Sequence, residues 1–154
     1  MPADPTDIRG WQRLDERTTT SGRLEAADVD RLAAIGVARV INLALADHPE
    51  ALADEGERLT ARGIAYTHIP VPFDAPDEAH FAAFRAALDE GEGAVHVHCI
   101  MNWRVSAFFY RLNRDHRAMD EGAARALMHA QWAPETSEDP RAATWARFIG
   151  LESE

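Results

Sequence analysis

The sequence predicts an α/β fold, a three-layer αβα sandwich around a central, mostly parallel sheet of four to five strands. Three observations lead there. Short runs dense in Val and Ile alternate with segments whose apolar residues recur at helical spacing, and such alternation builds parallel β-α-β units. Gly or Pro stands at the junctions, at Gly36, Gly63 and Pro70 among others. The chain has 154 residues, 46% hydrophobic and 27% charged, enough for one domain with a proper core.

Taken in order, residues 1–15 are polar and proline-containing and read as a loosely attached N-terminal arm; residues 16–154 read as a single domain. Residues 17–22, rich in Thr and ending at Gly22, read as a short edge strand and turn. Residues 25–35 form a helix with Val29, Leu32 and Ala33 on one face and Gly36 as its stop. Residues 37–45 are short and apolar, as a strand buried on both faces should be. Residues 51–62 read as a helix closed by Gly63. Residues 64–71 read as a strand that Pro70 and Pro72 end, because proline cannot continue a ladder. A loop over 72–76 leads into a helix over 77–90 with Phe81, Phe84 and Leu88 facing inward. Residues 119–131 and 139–151 complete the chain as helices, the second with Trp145 and Phe148 inward. Trp11, Trp132 and Trp145 read as core or arm-docking residues.

The stretch over residues 94–112 organises the rest. Val95 and Val97 alternate with His96 and His98, a buried strand; Val105, Phe108, Phe109 and Leu112 then fall on one helical face. Between strand and helix sit the only cysteine, Cys99, and, five residues later, Arg104. A strand end, a turn and a helix start aim backbone N–H groups and the positive end of the helix dipole at one point. That field favours thiolate over thiol and holds an oxyanion. A buried structural thiol is the competing reading of Cys99. Arg104 at a helix N-terminus opposes the dipole, which is unfavourable unless an anion is held there. Ligands of parallel sheets bind beyond the carboxyl ends of the strands, so the loops over 42–48, 70–76 and 99–104 form the expected rim. Asp74 lies on that rim, either as a proton donor or as a cap of the following helix, and Asp77 competes for both roles. His96 and His98 share a strand face, a pattern met in metal sites, but no third ligand stands at matching spacing; neither metal nor cofactor is expected.

Composition limits the rest. The formal net charge is −10, so nucleic acid and anionic membranes are not the expected partners. The chain contains no Lys, which excludes Schiff-base chemistry. A lone cysteine cannot pair within the chain and fits a reducing cytoplasm. No signal peptide and no apolar run of spanning length is evident in the sequence.

His98-Cys99 at a strand end, Arg104 and Ser106 opening a helix, and Ser21-Gly22 before a first helix resemble the cysteine-dependent phosphatases. The resemblance is greatest to small bacterial dual-specificity-like tyrosine phosphatases, including the β-lactamase-hydrolase-like group, and runs from about Thr18 to Asn113. Val40-Ile41-Asn42-Leu43 and His68-Ile69-Pro70-Val71 also match that pattern. The resemblance implies a phosphotyrosine phosphatase II-like fold and hydrolysis of phosphomonoesters, either phosphotyrosine or small phosphate esters, through a phosphoenzyme. It implies Cys99 as nucleophile, Arg104 as phosphate clamp, Asp74 as general acid, Ser106 as the hydroxyl that aids thiolate breakdown and His98 as the group that tunes the cysteine. Ile100, Met101, Asn102, Trp103 and Val105 would line the loop, which would hold phosphate or sulfate; the substrate would be a phosphorylated small molecule or protein.

The chain departs from the family in spacing. Four residues separate Cys99 from Arg104, where the family has five. An ungapped register puts Val105 at the arginine position, and one residue at a helix start is a rotation of about 100°. Asn102 stands where the family has Gly, a mild change because Asn readily takes a positive φ. The shortened loop also resembles that of the rhodanese-like sulfurtransferases, which implies a Cys99 persulfide as one alternative. A catalytically inactive, anion-binding pseudophosphatase is the other.

Overall fold

The computed structural model describes residues 3–151. Five strands form one sheet: β1 (Gln12–Arg13), β2 (Thr18–Ser21), β3 (Val37–Asn42), β4 (Ala65–His68) and β5 (Ala94–His98), in the order β1-β2-β5-β3-β4. Only the β1–β2 pairing is antiparallel; β2, β5, β3 and β4 run parallel. The expected fold class therefore holds, with six helices around the sheet: α1 (Ala26–Ala34), α2 (Glu55–Thr60), α3 (Glu78–Asp89), α4 (Trp103–His116), α5 (Glu121–His129) and α6 (Ala142–Phe148).

Local chemistry sets the helix ends. A capping box starts α1, where the Glu25 N–H donates to the Asp28 carboxylate at 2.8 Å. Gly36, at φ +87°, turns the chain out of α1 into β3. Asp77 accepts the His80 N–H at 2.9 Å and so caps α3. The helix expected over 51–62 is shorter, because Asp54 takes φ 57° immediately before α2 and breaks continuity with residue 51.

Strand alternation splits the core in two. Ile41, Val95 and Val97 pack with Phe81, Phe84, Phe108 and Trp145 on one side. Val40 packs with Val29, Leu32 and Leu59 of α1 and α2 on the other. This is the three-layer arrangement, with β5 buried along its whole length except at Ala94.

Two expectations about the start of the chain differ. The strand over 18–21 is not an edge, because β1 covers it: Gln12 pairs with Thr20 and Arg13 with Thr19. The segment read as a loose arm also buries Ile8 and stacks Trp11 on His96 at 5.2 Å; its first two residues lie outside the described ones. Burial of one Ile side chain contributes on the order of 2 kcal/mol, enough to hold a segment whose polarity alone suggests freedom. Among the described residues, no helix is long and apolar enough to cross a membrane.

Candidate active site

The four parallel strands end together at Ser21, His98, Asn42 and His68. Beyond them opens a cavity of about 260 Å³, lined by Leu45, His48 and Glu50 after β3, Phe73 after β4, Cys99, Ile100, Met101, Trp103 and Arg104 after β5, and Arg141 before α6. A larger hollow of about 440 Å³ lies at the opposite end of the sheet, with Arg17, Arg39 and Arg117 among its lining. No cysteine or histidine lines it, whereas Cys99 and His48 line the smaller one.

The loop between β5 and α4 is held from outside by its carbonyls. The Ile100 carbonyl accepts the Arg23 N–H at 2.9 Å. Gly22 passes so close beneath it that a Cβ there would meet the Ile100 oxygen at 2.4 Å. The ladder ends with the Cys99 N–H donating to Ser21 at 3.3 Å. Helical bonding resumes only at the Ser106 N–H, which donates to the Asn102 carbonyl. The N–H groups from Ile100 to Val105 therefore have no partner among the described residues. They form the start of a 14-residue helix, whose dipole adds positive potential at the same place.

Asn102 takes φ 66°, the left-handed conformation that its replacement of Gly requires. Its amide nitrogen donates to the Gly10 carbonyl at 2.8 Å and to Thr20 Oγ1 at 2.9 Å. Asn102 is fully buried; its side chain fixes the loop to Gly10, ahead of β1, and to Thr20 of β2, and it is not among the residues that line the cavity.

Cys99 is 1% and Arg104 6% exposed, yet both border the hollow. One Arg104 nitrogen, Nη1, donates to the Val71 carbonyl at 2.8 Å. Its Nε and Nη2 have no protein partner among the described residues, and Arg104 is one of the residues that line the cavity. Val105 packs in the core, with 0% exposure. The shorter loop thus presents Arg104, and not Val105, to the hollow.

His98 is buried beside the cysteine. Its Nε2 lies 2.6 Å from Glu55 Oε2 and its Nδ1 3.2 Å from the Cys99 carbonyl oxygen. Both ring nitrogens thus face acceptors. Ring His96 is held differently. The Ser21 hydroxyl donates to the Gly22 carbonyl at 2.9 Å, so it accepts the His96 Nε2 proton at 2.8 Å. Nδ1 then accepts from Thr19 Oγ1 at 2.9 Å. That is a neutral imidazole, and burial first, then the neighbouring His98, push its pKa well below 6.5. Among the described residues, no group of three His, Cys, Asp or Glu is placed to hold a metal ion.

An aromatic cluster braces the cavity walls. Trp103 and Trp132 stack at 4.9 Å, and Trp132 Nε1 donates to the Trp103 carbonyl at 3.0 Å. Trp145 Nε1 donates to the Phe73 carbonyl at 2.6 Å. These two tryptophans therefore pin the backbone of two lining residues.

Of the residues singled out in the sequence, Cys99, Ile100, Met101, Trp103 and Arg104 meet at the cavity, with His98 behind Cys99. Asp74 is exposed, next to the lining residue Phe73. Asp77 is occupied as the α3 cap. Ser106 points elsewhere: its hydroxyl donates to the Trp103 carbonyl at 3.0 Å, and it borders a separate crevice with Thr20 and Tyr110. His48, Glu50, Glu55, Phe73 and Arg141 were not singled out. His48 ends the loop over 42–48 already placed on the rim and Glu50 follows it; Arg141 carries no local signal.

No protein-family model matches the chain. A β-lactamase hydrolase-like protein of Xylella fastidiosa strain Temecula1 is 28% identical over 143 residues, 91% of this chain. The chain spans about a third of the length of that curated relative, 32%. Among solved structures, a DUF442 candidate phosphatase of Shewanella putrefaciens CN-32 matches with a TM-score of 0.78 and 28% identity, over 96% of this chain and 93% of that one. TpbA of P. aeruginosa, solved in complex with phosphotyrosine, matches with a TM-score of 0.69 and 21% identity, over 90% of this chain and 83% of that one; at that identity the likeness is one of fold. The resemblance to the cysteine-dependent, tyrosine phosphatase-like proteins, read in the sequence over about Thr18 to Asn113, thus extends in structure over 96% of the chain.

Proposed function

We propose that the chain is a cysteine-dependent phosphatase acting on phosphomonoesters through a Cys99 phosphoenzyme. One observation carries the reading: Cys99 and Arg104 border a single cavity where the amides of residues 100–105 have no internal partner. The Cys99 thiolate attacks phosphorus, the sulfur–phosphorus bond forms, and the ester oxygen leaves. The loop amides and the free nitrogens of Arg104 hold the charge on the phosphoryl oxygens. Asp74 supplies the proton that the leaving oxygen takes; Asp77 is the weaker candidate because its carboxylate already caps α3. Water then attacks the phosphoenzyme, which returns the thiolate and releases inorganic phosphate.

His98 positions the nucleophile through the Cys99 carbonyl, with Glu55 orienting the ring. The apolar walls, Leu45, Met101, Trp103 and Phe73, suit an ester with an aromatic or apolar body. The test is p-nitrophenyl phosphate turnover at mildly acidic pH by the wild type and by Cys99→Ser. Turnover that the substitution abolishes supports the proposal; equal rates for the two proteins overturn it.

A further inference from the structure

Arg141 belongs to the cavity but has no part in the chemistry just described. It comes from the far end of the sequence, at the start of α6, and its guanidinium lies 4.5 Å from the centre of the Phe73 ring. The guanidinium of Arg104 lies 5.8 Å from the centre of the same ring. Two cations therefore flank one aromatic ring, one deep and one at the rim, in a protein whose net charge is −10. Asp139 takes Nε and Nη2 of Arg141, at 3.1 and 2.8 Å. Nη1 has no hydrogen-bond partner among the described residues, although the Asp74 carboxylate also acts on the guanidinium through space. The side chain is 55% exposed, so solvent or a ligand can reach it.

Resting on the phosphatase reading, we propose that Arg141 is a second anion site and that the preferred substrate carries a second negative group beyond the scissile phosphate. The phosphoryl group occupies the Cys99–Arg104 loop. The flat body of the substrate lies along Phe73, and the second group, carboxylate or phosphate, meets Nη1 of Arg141. Aromatic rings hold both guanidiniums by cation–π attraction, which fixes their spacing. Asp139 limits the charge that Arg141 offers and so moderates the preference.

The experiment compares phenyl phosphate with para-carboxyphenyl phosphate and hydroquinone bisphosphate at low salt. For each enzyme, kcat/KM of the two-anion esters is divided by that of phenyl phosphate, which cancels leaving-group differences between proteins. Arg141→Gln is expected to lower that ratio about five-fold, the size of an exposed ion pair. Asp139→Asn is expected to raise it about two-fold. A loss confined to one of the two esters supports the site and identifies its group as carboxylate or phosphate. Ratios that Arg141→Gln leaves unchanged overturn the proposal. If none of the esters is hydrolysed, the phosphatase reading fails separately, and calorimetry still decides the site. Hydroquinone bisphosphate should then bind Cys99→Ser about five-fold more tightly than Cys99→Ser/Arg141→Gln, and equal affinities overturn the proposal.

Discussion

His98 Nε2 lies 2.6 Å from the Glu55 carboxylate, with both side chains at least 95% buried. The contact joins β5 to α2 directly behind Cys99. A buried polar pair of this kind is weak evidence of net stability, but removing one partner leaves the other desolvated and alone. Glu55→Ala should therefore cost about 3 kcal/mol, read as a lower denaturant midpoint. Glu55→Gln, which keeps an acceptor for the ring, should recover much of that loss. Equal destabilisation by the two would mean that the carboxylate charge, and not the acceptor, is what His98 needs.

The close pass of Gly22 under the Ile100 carbonyl leaves no room for a Cβ. Gly22→Ala forces the loop to move, and should lower stability by about 2 kcal/mol and reduce kcat more than ten-fold by displacing the amides. A well-folded Gly22→Ala with wild-type kcat would show that the loop position does not matter.

Asn102 is a non-glycine residue at positive φ with two side-chain bonds. Asn102→Gly keeps the conformation and loses the bonds; Asn102→Ala loses both. The alanine variant should be less stable than the glycine variant by about 1 kcal/mol, measured by thermal unfolding.

His96 predicts a pH dependence of stability. Its folded pKa lies well below 6.5, so above that pH neither folded nor unfolded chain is protonated there and the residue contributes nothing. As pH falls below 6.5, the unfolded chain takes a proton that the folded one refuses, and stability is lost by up to about 1.4 kcal/mol per pH unit. His96→Asn should flatten the slope between about pH 7 and pH 5 without removing it. An unchanged slope would place the titration in other groups.

Much of the architecture was legible because it is local. Period and punctuation located the helices and the four parallel strands, and the nucleophile loop was readable because Cys99, Asn102 and Arg104 are nearly adjacent in sequence. What escaped is non-local or too short for periodicity. The strand β1 has two residues and no pattern to read. His48 and Arg141 reach the cavity from two separate connections, and Glu55 reaches His98 from α2; of the three, only His48 falls in a loop that the sequence placed on the rim. Ser106 was named from the resemblance, and motif order does not determine where a side chain points: its hydroxyl bonds back to its own helix turn. Trp132 and Trp145 were read as packing, but their ring N–H groups also hold the two backbones that line the site.

The most direct test of the account is mass spectrometry of the protein quenched during turnover of a phosphomonoester. The account predicts one added phosphoryl group, located on Cys99 and lost from Cys99→Ser. Phosphate release with no adduct on Cys99, or a persulfide on that sulfur formed from thiosulfate in place of a phosphoryl group, would contradict it.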